Sequence, residues 1–172
     1  MTLDDVLPDP DWRTRHEHRV AAPPDAALAA ARAVTVAEMP LAAVLLGLRT
    51  LRLRRPPRVP FVELVERGVG LMSVGDDVWA GVQRPWTSHG ESRRVEDVAA
   101  FAEPGWVKLG VDLTATPVAG GTLLATETRI QATSDDARRT FGRYWLVVRV
   151  GSGLVRVSWL RAAGRRVTVG PP

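Results

Sequence analysis

A chain of 172 residues with 45% hydrophobic and 24% charged side chains is long enough to bury a core and too apolar for wholesale disorder. It has no cysteine, which excludes disulfides, thiolate metal sites and a cysteine nucleophile. The net charge is only +4, but its cations cluster: residues 49–58 hold five arginines and no acid, and eight arginines with no acid lie from Arg138 onward.

Residues 1–12 are acidic and broken by prolines, and read as a flexible lead-in that lacks the basic start of a secretory signal. Residues 13–22 alternate polar and apolar side chains up to Pro23-Pro24, the pattern of a strand. Pro24-Asp25 then opens an alanine-rich helix over 26–34. A second helix starts near Pro40, where Leu41, Val44, Leu45 and Leu48 form one apolar stripe predicted to face a core. Residues 41–48 are the longest apolar run, far too short to span a bilayer, so a cytoplasmic location is expected.

Residues 61–67 fit one or two helical turns. Residues 69–74 and 78–83 flank Gly75-Asp76-Asp77 and predict a hairpin. A polar loop over 85–94 and a short helix over 95–102 follow. In 106–115, Val107, Leu109, Val111 and Leu113 share one strand face, while Lys108, Asp112 and Thr114 share the other. Ala119-Gly120-Gly121 turns into a threonine-rich strand over 122–132. Ser134 with Asp135 and Asp136 begins a final helix carrying Phe141, Tyr144, Trp145 and Val148, expected to kink at Gly151-Ser152-Gly153 and run to about 166.

This order predicts an α+β domain over 13–166 with a tail over 167–172: a curved antiparallel sheet gripping one long C-terminal helix, with two helices after the first strand. Such a layout leaves an apolar space between sheet and helix. Several stretches carry a family resemblance: Met39-Pro40-Leu41 with Leu48-Arg49, and the run from Gly81 to Trp86. Others are Glu127-Thr128-Arg129-Ile130, the run from Phe141 to Trp145, and the run from Gly151 to Arg156. Over residues 14–166 the chain resembles the START-related helix-grip (SRPBCC) superfamily, which includes polyketide cyclase-like and lipid-transfer-like members, and within it an uncharacterised actinobacterial-type branch. That resemblance implies a cavity fold but does not by itself give a function.

The candidate ligand-binding residues are Trp79, Trp86, Leu109, Val111, Glu127, Arg129, Phe141, Tyr144 and Trp145. The aromatics could stack on a planar or isoprenoid molecule, or simply fill a core. Glu127 and Arg129 share a strand face and could orient a polar head group, or pair structurally on the outside of the sheet. His16 and His18 also share a face, but a third ligand would have to be His89 or a carboxylate such as Glu17, which points the other way, so surface or rim histidines are expected and no metal. Nucleophile-elbow, phosphate-loop and dinucleotide motifs are lacking, and no cofactor is implied.

Three readings follow. The first is binding or carriage of a small hydrophobic molecule. The second is a cyclase or dehydratase using Glu127 or Asp112 inside a cavity. The third is peripheral contact with an anionic membrane through the arginine patches; the patches read first as arginine at helix ends on a solvated face, and nucleic acid is the lesser fit at so small a net charge.

Overall fold

The structure, a computed structural model, describes residues 1–50 and 58–169. Its elements are α1 (Leu3–Val6), β1 (Trp12–Val20), α2 (Pro24–Ala33), α3 (Pro40–Thr50), α4 (Phe61–Val69), β2 (Met72–Gly75), β3 (Val78–Arg84), β4 (Glu91–Arg93), β5 (Val107–Asp112), β6 (Thr114–Val118), β7 (Gly121–Ala132) and α5 (Asp135–Val169). The strands form one seven-stranded sheet in the order β1-β7-β5-β3-β2, with β4 beside β3 and β6 beside β7. This is the α+β class that the hairpins and the final helix predict. No helix among the described residues is long and apolar enough to cross a membrane.

The residues group into two compact units. One comprises Met1–Arg15, Val65–Asp112 and Glu127–Arg149; the other comprises His16–Leu64, Leu113–Thr126 and Val150–Pro172.

In the first unit the residues before Trp12 are not a flexible lead-in. Leu3, Val6 and Leu7 fall at i, i+3 and i+4 and are buried. Thr2 and Asp5 close a reciprocal cap around the single turn of α1, the Asp5 carboxylate accepting the Thr2 N–H at 2.7 Å. Val6 and Leu7 belong to a cluster with Ala80, Val82, Val98 and Trp106. Gly110 makes room for this packing: a Cβ there would stand 2.7 Å from a Leu3 methyl and 3.0 Å from one of Leu7. A second cluster unites Val107, Ile130 and Phe141. Alternation along β5 and β7 puts these on the opposite face, so α1 and the first half of α5 cover the two sides of the sheet in this unit.

The helix expected over 95–102 is a turn, in which the Asp97 carboxylate accepts the Ala100 N–H at 3.1 Å. Pro104 and Gly105 close the segment just beyond 102, and Val95, Val98 and Phe101 reach the cluster from the turn.

In the second unit α5 packs through Trp159 and Leu160, both buried. The Trp159 indole N–H donates to the Ala31 carbonyl at 2.8 Å, and its ring lies 5.2 Å from that of Phe61. Arg166 donates to both Glu38 carboxylate oxygens, at 2.6 and 3.0 Å. The apolar stripe expected on α3 is not buried as predicted: Leu41 is 44% and Val44 56% exposed. Met39 and Ala42 take the buried positions instead, turning the helix away from that stripe. The side chains of Leu48 and of the arginines at 49–55 lie outside the described residues.

The helix α5 runs through Gly151 to Gly153, where an interruption was expected. Gly153 has a packing reason. A Cβ there would meet the His16 ring at 3.3 Å, and one on Gly164 would meet the His18 ring at 2.9 Å. Gly151 has none, with open space where its Cβ would be. Gly151→Ala should therefore stabilise the protein by about 0.5–1 kcal/mol through helix propensity alone. Gly164→Leu should cost about 1–3 kcal/mol by overpacking against His18. Urea unfolding of the two variants checks both, and similar shifts in both would refute the distinction.

A candidate aromatic binding site

Phe141 projects from the second turn of α5 into the first unit, and four rings surround it. Its centroid lies 4.8 Å from Trp12, 5.8 Å from Tyr144, 5.8 Å from Trp145 and 6.1 Å from Trp86. The Trp145 ring is stacked, and the Trp86 ring stands edge-on. Tyr144 and Trp145 follow Phe141 at i+3 and i+4 and so lie beside it on one helix face. Trp12 opens β1, and Trp86 directly follows β3 and Pro85. Leu109 and Ala132 supply the aliphatic floor. Phe141 is buried, whereas Trp12, Trp86, Tyr144 and Trp145 each retain partial exposure. The cluster is thus a core residue ringed by aromatic surfaces that reach solvent.

Of the sequence candidates, Trp86, Leu109, Phe141, Tyr144 and Trp145 meet here. Trp12 joins them from the start of β1 and not from a lead-in; its signal in the sequence is the alternation Trp12, Thr14, His16. Trp79 and Val111 are register partners, both buried, and the Trp79 indole N–H donates to the Glu66 carboxylate at 2.8 Å. They form part of the packed sheet and α4 contact and are not members of the ring cluster.

Glu127 and Arg129 lie on the other face, beneath α1. Glu127 is 2% exposed and accepts from Arg13 at 2.7 Å and from Arg129 at 2.6 Å, with Arg15 at 3.7 Å. Arg129 also donates to the Leu7 carbonyl at 3.0 Å and pairs with Asp4 at 2.6 Å. Burial pushes the Glu127 carboxyl upward, but the hydrogen bonds and charges of Arg13 and Arg129 outweigh it and hold the group below the usual carboxylate range. Burial likewise opposes the Arg129 charge, and Glu127 and Asp4 restore it with a net upward shift. Asp112 accepts the Glu127 backbone N–H at 2.7 Å, and burial raises its carboxyl above the ordinary value. These groups satisfy one another as a structural layer.

Two shallow hollows in the second unit open to solvent. One, about 190 Å³, sits at the turn after β6. The other, about 460 Å³, is a groove along the end of β1 and the last turns of α5, lined by His18, Arg161 and Arg165 among others. No protein-family model matches the chain, and no curated protein matches it.

Glu127→Ala should cost about 3 kcal/mol, the low end for breaking a buried pair, because Arg13 and Arg15 can turn to water while Arg129 cannot. Arg13→Ala, at an exposed partner, should cost less than about 1 kcal/mol. Denaturant midpoints distinguish the two, and a mild Glu127→Ala would contradict the structural role.

Acid should destabilise the protein in two separate windows. His16 is held below the ordinary imidazole value of 6.5 by burial and then by Arg156, and His18 by burial and then by Arg161 and Arg165. The unfolded chain binds protons there that the folded chain refuses, so stability falls as pH drops below 6.5. Glu38 is lowered from 4.5 to about 2, chiefly by its hydrogen bonds from Arg166, and its contribution is lost between those values. His18→Gln should flatten the first step and Glu38→Gln the second in melting temperatures taken against pH.

Proposed function

We propose that this protein binds and carries a small hydrophobic molecule, held against the aromatic cluster around Phe141. One observation carries the reading: four partly exposed rings, Trp12, Trp86, Tyr144 and Trp145, are gathered on a buried fifth. Aromatic faces that reach solvent keep an unspent capacity for stacking and apolar burial. Tyr144 and the tryptophans each add a polar edge, which suits a flat or isoprenoid molecule with few polar groups. The resemblance of the element order and of the 141–145 stretch to the START-related superfamily supports the same class of ligand.

The cyclase or dehydratase reading loses its acid and base. Glu127 is closed on arginines, and alternation along β5 and β7 turns both Glu127 and Asp112 to the face opposite Ile130 and Phe141. A carriage role asks no chemistry of them.

The probe is Nile red, a neutral apolar dye, read by its own emission and by tryptophan quenching. Binding should brighten the dye, and Trp86→Ala or Trp145→Ala should weaken it about tenfold, the worth of one lost aromatic contact. Val147→Ser, on a side chain 80% exposed and outside the cluster, should leave it unchanged. A folded protein that leaves the dye dark, or binds it equally well in both tryptophan variants, would sink the proposal.

A further inference from the structure

The groove at the end of β1 has a composition that the hydrophobic-ligand reading does not use. Its walls carry His18 and Arg19 from β1 and Arg161, Gly164, Arg165 and Thr168 from α5, with no carboxylate among the lining residues. Arg161 and Arg165 are four apart, so both guanidiniums leave the same side of the helix one turn apart. Gly164 lies between them, and its missing side chain lets the backbone of α5 come down onto the His18 ring.

None of the lining residues is acidic. Arg165 spends one N–H on the Glu38 carbonyl at 2.8 Å and keeps its others, a guanidinium having five. The Glu38 carboxylate is closed on Arg166. Arg161 closes on no carboxylate among the described residues. The His18 ring lies against the α5 backbone, 2.9 Å from where a Cβ on Gly164 would stand, and the charges that act on it from α5 are those of Arg161 and Arg165, both cationic. The negative end of the α5 dipole works against an anion here, but it is a partial charge opposed by two whole ones.

We propose that this groove binds a phosphate monoester, Arg161 and Arg165 holding the phosphoryl oxygens and His18 closing the site as an imidazolium. Guanidinium forks match the oxygens of a tetrahedral oxyanion. A dianion answers three cations better than a carboxylate does, and a phosphate monoester loses its second proton near pH ~6, within reach of a histidine. A volume of about 460 Å³ exceeds one phosphate group, which leaves room for the esterified substituent. The monoester can come from a soluble metabolite or from a lipid head group, and the site chemistry is the same for both.

The test follows the His18 ring by NMR in the full chain, titrating pH with and without glycerol 3-phosphate at ionic strength matched by sodium chloride. The ligand should raise the His18 pKa by about half a unit or more, since it replaces repulsion with attraction. Arg161→Gln, at an exposed position, should raise the pKa of the ligand-free protein and weaken glycerol 3-phosphate binding about tenfold. His18→Gln should weaken binding below pH 6.5 and leave it unchanged well above. Vesicles of phosphatidylcholine with phosphatidic acid separate the sources. A shift with glycerol 3-phosphate supports a soluble ligand, and a shift only with those vesicles supports the head group. The proposal is overturned if chloride alone reproduces the shift or if Arg161→Gln binds as well as the parent. It also falls if a phosphodiester oligonucleotide binds in preference to the monoester.

Discussion

A carboxylate 2% exposed on a central strand sets the terms for one whole unit of this protein. Removing an ionised glutamate from water costs several kcal/mol unless charges and hydrogen bonds replace the lost solvation. Glu127 obtains that replacement from Arg129 on its own strand and from Arg13 and Arg15 on the neighbouring strand. Arg129 then needs acceptors of its own, which the N-terminal turn supplies as the Leu7 carbonyl and Asp4. The acidic first residues are therefore folded in as the counterpart of a buried guanidinium. Covering one sheet face in this way commits the other to α5, and Phe141 with its ring of aromatics is the result.

Much of this was readable from residue spacing. The hairpins, the alternation of 106–115 and the helix start at Ser134 all follow from local rules, and each stands in the structure, although the expected single strand is divided at Leu113 into β5 and β6. What spacing could not give is which of two equivalent faces a residue joins. Glu127 and Ile130 are both legible as strand residues, yet only the partner elements decide that one meets α1 and the other Phe141. The stripe on α3 failed for a similar reason: periodicity identifies an apolar face, whereas the packing of Met39 and Ala42 chose another. The acidic character of the first residues masks Leu3, Val6 and Leu7, whose spacing is that of one helical face. The ring cluster was half legible, through Phe141, Tyr144 and Trp145 at helical spacing; Trp12 and Trp86 reach it through tertiary structure.

Glycines divide by role in the same physical terms. In the second unit, Gly153 and Gly164 are the places where a helix backbone rests on histidine rings, while Gly151 touches nothing. Ring and helix thus lie closer than side chains ordinarily permit. The same closeness strips water from His16 and His18 and leaves them facing arginines, which is why both resist protonation. Packing geometry and acid–base behaviour have one origin here.

The position of β1 at the end of the sheet has a consequence for how copies of this protein behave in concentrated solution. An end strand offers unpaired backbone groups to any other strand that approaches. Along β1, Arg13, Arg15, Glu17 and Arg19 alternate with inward residues, so an approaching identical strand would meet a row dominated by like charge. The guanidiniums that solvate Glu127 from one side are thus also charges on an end strand, a feature that discourages edge-to-edge pairing. Selection on Arg13 and Arg15 would then answer to two pressures at once, internal neutrality and colloidal stability, and a change that relieved one could expose the other.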